Sequence, residues 1–111
     1  MPKEYKIDGH IKRLYSIGEV ARSLDRSPQT IRLWEKKKVI PSSPFIIGEL
    51  KFGGQGKRAY SNMHREALKV AVRKNELAKG KPIPKGFEND VFKAYHAIAQ
   101  GRVPDLLESQ R

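Results

Sequence analysis

Apolar residues in this 111-residue chain recur with two different periods, and a cluster of breakers cuts the pattern once. Ile17, Val20, Ala21 and Leu24 fall at i, i+3, i+4 and i+7, the spacing of one helical face. Ser16-Ile17-Gly18-Glu19 reads as a capping box, and Tyr15 and Val20 stand where a hydrophobic staple belongs. Asp25 ends this helix, because aspartate tolerates the left-handed conformation better than most residues. A second start follows at once. Ser27 is an N-cap, and Pro28 takes the first helical position, where its missing N–H costs nothing. Ile31 and Trp34 then face the first helix, and Lys36-Lys37-Lys38 place cations at the negative end of the dipole. Two short helices joined by about three residues have helix-turn-helix spacing.

The period then changes. Leu50 and Phe52 alternate with Glu49 and Lys51, Gly53-Gly54-Gln55-Gly56 is a turn, and Lys57 to Tyr60 returns as a second strand. Ser61 caps a third helix to about Lys79, with Met63, Ala67, Val70 and Ala71 as its stripe. The breaker run from Gly80 to Gly86, which holds Pro82 and Pro84, interrupts any helix. Beyond it Asn89 caps a fourth, with Val91, Phe92, Tyr95 and Ile98 as an apolar stripe and Gly101 as its stop. The expected fold is mainly α with one small β-hairpin. Its parts are a polar lead-in over 1–14, a core module over 15–79 and a Pro-broken helical extension over 80–111.

Composition adds a partner. Lys and Arg number 23 against 12 Asp and Glu, a net charge of +11, and the excess is greatest over the two-helix unit and hairpin. A polyanion is the natural ligand. No long apolar run or basic interfacial helix favours a membrane, and the first dozen residues lack a signal peptide's apolar stretch. With no cysteine there is no disulfide or thiolate chemistry. His10, His64 and His96 show no ligand spacing, and no nucleophile is paired with a base. The expectation is a cytoplasmic protein that is not an enzyme and needs no cofactor or metal.

Four blocks carry a resemblance: Tyr15-Ser16-Ile17-Gly18-Glu19-Val20-Ala21, Ser27-Pro28-Gln29-Thr30-Ile31-Arg32-Leu33-Trp34-Glu35, Val39-Ile40-Pro41 and Gly56-Lys57-Arg58-Ala59-Tyr60-Ser61. In this order they resemble the MerR-type winged helix-turn-helix, over roughly Leu14 to Ala71. The resemblance implies that the second helix enters the major groove of duplex DNA while the hairpin, the wing, follows the phosphate backbone. Ser27, Gln29, Thr30 and Arg32 match DNA-facing helix positions, and Arg58 matches the wing arginine. Trp34 and Tyr60 match aromatic positions that pack the module. Lys36, Lys37, Lys51 and Lys57 complete the expected DNA-binding set. Arg32 is suited to a guanine edge or to a phosphate, and Gln29 to an adenine edge or to solvent. The glycine-rich turn lacks the Lys-Ser/Thr of a P-loop and serves as the wing tip.

This chain departs from the family pattern in several places. Arg26 replaces a small apolar turn residue, Lys38 replaces a helix-ending glycine, and Leu33 replaces a common aromatic residue together with its phosphate contact. The wing is longer. The third helix stops at the Pro block instead of continuing into a long dimerising helix, so a metal- or redox-sensing regulator is not expected. The same module without a sensor occurs in phage excisionases and in DNA-recognition subunits of phage terminases. Sequence-specific duplex binding, in regulation or recombination control, is therefore the leading expectation. DNA packaging and RNA binding are the alternatives, with residues 80–111 available for a homo-oligomer or a protein partner.

Overall fold

The computed structural model describes residues 3–7, 10–47 and 57–104. In chain order these form β1 (Lys3–Ile7), β2 (His10–Ser16), α1 (Ile17–Ser23), α2 (Pro28–Lys36), β3 (Phe45–Ile47), β4 (Lys57–Tyr60), α3 (Asn62–Lys74) and α4 (Lys85–Ala99). The fold is mainly helical, with a small antiparallel sheet ordered β1-β2-β4-β3. β3 and β4 make the expected wing, paired from Phe45↔Ala59 to Ile47↔Lys57. β2 joins its other side through Tyr15↔Tyr60 and Ser16↔Ala59, so the first helix springs directly from the wing sheet. The expected strand at Leu50 and Phe52 and the turn at Gly53–Gly56 lie outside the described residues. Within the polar lead-in, β1 and β2 pair as a hairpin from Lys3↔Leu14 to Ile7↔His10, an element that the apolar pattern did not predict.

Each helix start in the two-helix unit is fixed by the predicted chemistry. Glu19 N–H donates to Ser16 Oγ at 3.2 Å, and Ser16 N–H donates back to Glu19 Oε1 at 3.0 Å, a closed capping box. Ser27 Oγ accepts from Thr30 N–H at 3.3 Å, with Pro28 in the first turn. The helix ends share one device. At each, the residue after the C-cap donates to the carbonyl three before it, and the next residue reaches the carbonyl five before it. The pairs are Asp25→Arg22 and Arg26→Ala21, Lys38→Glu35 and Val39→Trp34, Glu76→Arg73 and Leu77→Val72, and Gly101→Ile98 and Arg102→Ala97. This is the Schellman motif, which needs a left-handed residue in its middle. Asp25 (φ 56°), Lys38 (φ 60°), Glu76 (φ 48°) and Gly101 (φ 76°) fill that place.

The third helix is shorter than its periodicity suggests. It ends at Lys74 because the motif at Glu76 turns Leu77 back into the core, where it is buried. The fourth begins at Lys85, four residues before the expected Asn89 cap, inside the breaker run. Pro84 serves as N-cap with its φ preset at −68°. The early start draws Phe87 fully into the core, edge-on to Trp34 with ring centroids 5.2 Å apart. Gly86 allows the approach: a Cβ there would lie 2.6 Å from Asn75 Oδ1. Asn75 in turn donates to Ala71 O at 2.9 Å and to Asp90 Oδ2 at 3.0 Å, tying the end of α3 to α4.

One cluster unites the module and the extension: Val20, Ala21, Leu24, Ile31, Trp34, Ile40, Tyr60, Leu68, Ala71, Leu77, Phe87, Val91 and Tyr95. Val91 and Tyr95 are buried as expected, Ile98 is half-buried, and Phe92 faces outward. On α3, His64 and Leu68 are buried and Met63 is only half-buried. His64 Nδ1 lies 2.5 Å from Ser61 Oγ, and its ring stands edge-on to Tyr95 at 4.7 Å.

Two predictions follow from these positions. Glu76 bears a backbone that glycine adopts freely, and its charge sits at the negative end of α3. Glu76→Gly should raise stability by about 1 kcal/mol in urea unfolding, whereas Gly101→Ala, with no atom near its new Cβ, should lower it by about 1 kcal/mol. Burial lowers the His64 pKa from 6.5 to about 4, so the folded chain holds it neutral at pH 5. The unfolded chain protonates it on passing below its ordinary value, and by linkage stability falls as pH drops from about 6.5 to 4. A His64→Gln variant should lose that part of the pH slope of unfolding.

Candidate nucleic-acid interface

The orientation of α2 in the two-helix unit follows from what it buries. Ile31 and Trp34 are in the core. Glu35, on the same side, carries a charge that burial would penalise unless paired. Its side chain is only 6% exposed, and two residues of β4 meet it: Arg58 Nε–H donates to Glu35 Oε2, and Tyr60 O–H donates to Oε1 at 2.6 Å. The strand's period of two puts Arg58 and Tyr60 on one face, so both reach the same carboxylate. Burial first, and then the hydrogen bond it donates to Glu35, push the Tyr60 hydroxyl's pKa well above its ordinary value, so it remains a donor. The wing and α2 are thus clamped together by one acid.

The opposite side of α2 is open. Gln29, Arg32, Leu33, Lys36 and Lys37 are exposed, and Thr30 is half-buried. Arg32 Nη1–H donates to Gln29 Oε1 at 3.0 Å, so these two expected readers form one polar unit. The Ser27 hydroxyl is committed to its cap and to Thr30 Oγ1 at 3.1 Å. The structure therefore gathers Ser27, Gln29, Thr30, Arg32, Lys36 and Lys37 on α2 and its two caps, and places Lys57 and Arg58 on β4. Lys51 lies outside the described residues. Arg58, the expected wing arginine, has its Nε engaged by Glu35, and its side chain is 36% exposed.

Three supporting residues gave no pattern to read in the sequence. Glu35 pairs across 23 positions. Arg26, the odd residue of the turn, donates to Leu24 O at 3.0 Å, Asp25 O at 3.2 Å and Leu77 O at 2.7 Å, binding the turn to the end of α3. Arg65 lies 4.7 Å from the centre of the Tyr15 ring, donates to Ser23 Oγ at 3.2 Å, and pairs with Glu66 at 2.9 Å. Beside the start of α2, residues including Asp25, Ser27, Thr30, Lys79, Lys81 and Ile83 border a groove of about 530 Å³. Lys79 pairs there with Asp25 at 3.1 Å.

A capped two-helix unit with a polar outer face, clamped to a two-stranded wing, is the architecture of a DNA-reading module. The family model for MerR HTH family regulatory proteins matches residues 15–73, more than half of the chain, running from β2 into α3. The chain belongs to the MerR HTH family. MerR HTH proteins are DNA-binding regulators and generally not enzymes. No curated protein and no solved structure matches the chain at a significant level. The MerR match stops before α4, which packs on α3 and completes the core of the matched part. Among the described residues no group of three or more His, Asp or Glu could hold a metal, and no helix is long and apolar enough to cross a membrane.

The clamp can be tested directly. Arg58→Ala leaves Glu35 buried with one hydroxyl partner, and should cost about 1–3 kcal/mol in urea unfolding, the penalty of an under-satisfied buried acceptor. Adding Glu35→Gln to it removes the buried charge and should recover part of that loss.

Proposed function

We propose that the protein binds duplex DNA sequence-specifically as a small regulator or mobile-element accessory factor of the excisionase kind, working in the cytoplasm of a bacterial or phage-infected cell. The observation that carries this reading is the outer face of α2. Gln29 and Arg32 stand there hydrogen-bonded to each other, with Lys36 on the same side, on a helix whose start, rotation and angle to the wing are all fixed. A helix held in this way suits the major groove, where arginine and glutamine match guanine and adenine edges. Ser27, Thr30, Lys36, Lys37, Lys51, Lys57 and Arg58 serve mainly the phosphates, which position the module without reading sequence. The net charge of +11 supports the same partner. α4 spends Phe87, Val91 and Tyr95 on the module's own core. That favours a compact reader over one whose extension exists chiefly to hold another protomer or protein.

Titration of the full chain against duplex DNA at several salt concentrations checks this. A module that neutralises about six phosphates should give a log–log slope near −5. Binding that ignores salt, or that prefers single-stranded RNA to duplex, would overturn the reading. Arg32→Ala and Gln29→Ala should narrow the difference between a preferred duplex and random DNA.

A further inference from the structure

Leu33 is 46% exposed on α2, among the polar residues of that helix's outer face. At about 100° per residue, Arg32, Lys36, Gln29 and Leu33 follow one another around the outer arc of α2. Leu33 thus stands beside Gln29, one turn further on. The helix has no freedom to turn this leucine inward. Trp34 and Ile31 are 5% and 0% exposed, and Glu35 is held by Arg58 and Tyr60. Side chains on a helix lean toward its N-terminus, so the isobutyl group lies over the turn that carries Gln29 and the Ser27 cap.

We infer that Leu33 is a specificity-determining residue that reads the methyl group of a thymine next to the bases met by Gln29 and Arg32. The inference rests on the duplex-DNA reading above. Leucine has no donor or acceptor, so it gains nothing from a phosphate or from the amide and carbonyl edges of bases. In the major groove the thymine C5-methyl is the apolar feature that a side chain can bury. The hydrogen-bonded Gln29–Arg32 pair and Leu33 together offer one polar and one apolar reading element on the same arc. An unmatched base there would leave the leucine in water or press it against a polar edge.

Replacing thymine by deoxyuridine removes that methyl and changes no hydrogen bond, so it isolates the contact. A preferred duplex is selected from a random pool with the full-length chain, each thymine is replaced singly, and Kd is measured by fluorescence anisotropy. At one thymine in the site, the deoxyuridine duplex should bind the native chain about fourfold more weakly, the equivalent of one buried methyl group. Leu33→Ala should bind the two duplexes equally, and its melting temperature should match that of the native chain, because the side chain it loses faces outward. A preferred duplex with no thymine sensitive to this change would overturn the inference alone. So would a Leu33→Ala chain that keeps the same discrimination. A pool that yields no preferred duplex would overturn the sequence-specific reading, and the inference with it.

Discussion

A single buried carboxylate sets the geometry on which this module depends. Glu35 stands near the end of α2, out of water, and its two oxygens are taken by β4, one by Arg58 and one by Tyr60. Hydrophobic packing alone would hold α2 against the core and still leave it some freedom to slide or roll. Two charge-assisted or short hydrogen bonds from alternate positions of one strand remove that freedom, because the strand's pleat fixes the spacing of the donors. The wing sheet is in turn joined to α1 through β2, whose last residue is the N-cap of that helix. The path from wing to cap to helix to turn to reading helix therefore closes on itself at Glu35. A buried ion pair is a weak source of net stability. Its contribution here is orientation: it fixes the angle between α2 and the wing.

The same economy shows at the helix ends. Each of α1 to α4 ends in a Schellman motif, which makes the turn after it definite. Three of them place a residue other than glycine in the left-handed conformation. At Lys38 the cation lies where the dipole of α2 favours it, which offsets part of the backbone cost. At Asp25 the carboxylate meets Lys79, on the segment that leaves α3. Neighbouring Arg26 adds a bond to Leu77 O. The turn between α1 and α2 is thus braced by the segment that follows α3.

Much of the module was legible in the sequence because its signals are local. Caps, proline at a first turn and the i, i+3, i+4 spacing act within one or two turns, and they located α1, α2 and Trp34 correctly, while the packing of Tyr60 was implied by the family resemblance. The exposed set on α2 was legible for the same reason. What escaped depends on contacts distant in sequence. Glu35 is an ordinary helix residue until β4 closes over it. Arg26 looks out of place until Leu77 arrives. The end of α3 was overrun because helical propensity continues past Lys74, while burial of Leu77 requires a turn. The start of α4 was read too late because the prolines suggest a break; the pull of Phe87 toward Trp34 overrides them. The N-terminal hairpin did leave a local sign. Ile7 pairs with His10, and between them the sequence holds Asp8-Gly9, a pair common in two-residue hairpin loops. Flanked by a mostly charged stretch without a clean apolar alternation, it did not register.

The placement of α4 sets how the extension meets the MerR module. In a long-helix arrangement, the helix after the wing leaves the module, and the DNA-reading part keeps its own core. Here the chain turns at Glu76, crosses the end of α1 and returns, so that Phe87 packs on Trp34 of the reading helix itself. One side of Trp34 belongs to the two-helix unit and the other to the extension. Any force that shifted α4 would be felt at the residue that fixes the rotation of α2, without passing through the wing. The Glu35 clamp and the Trp34–Phe87 contact thus hold neighbouring residues of α2 from two separate elements, β4 and α4. α2 is therefore held from two sides, and its position depends on both elements at once.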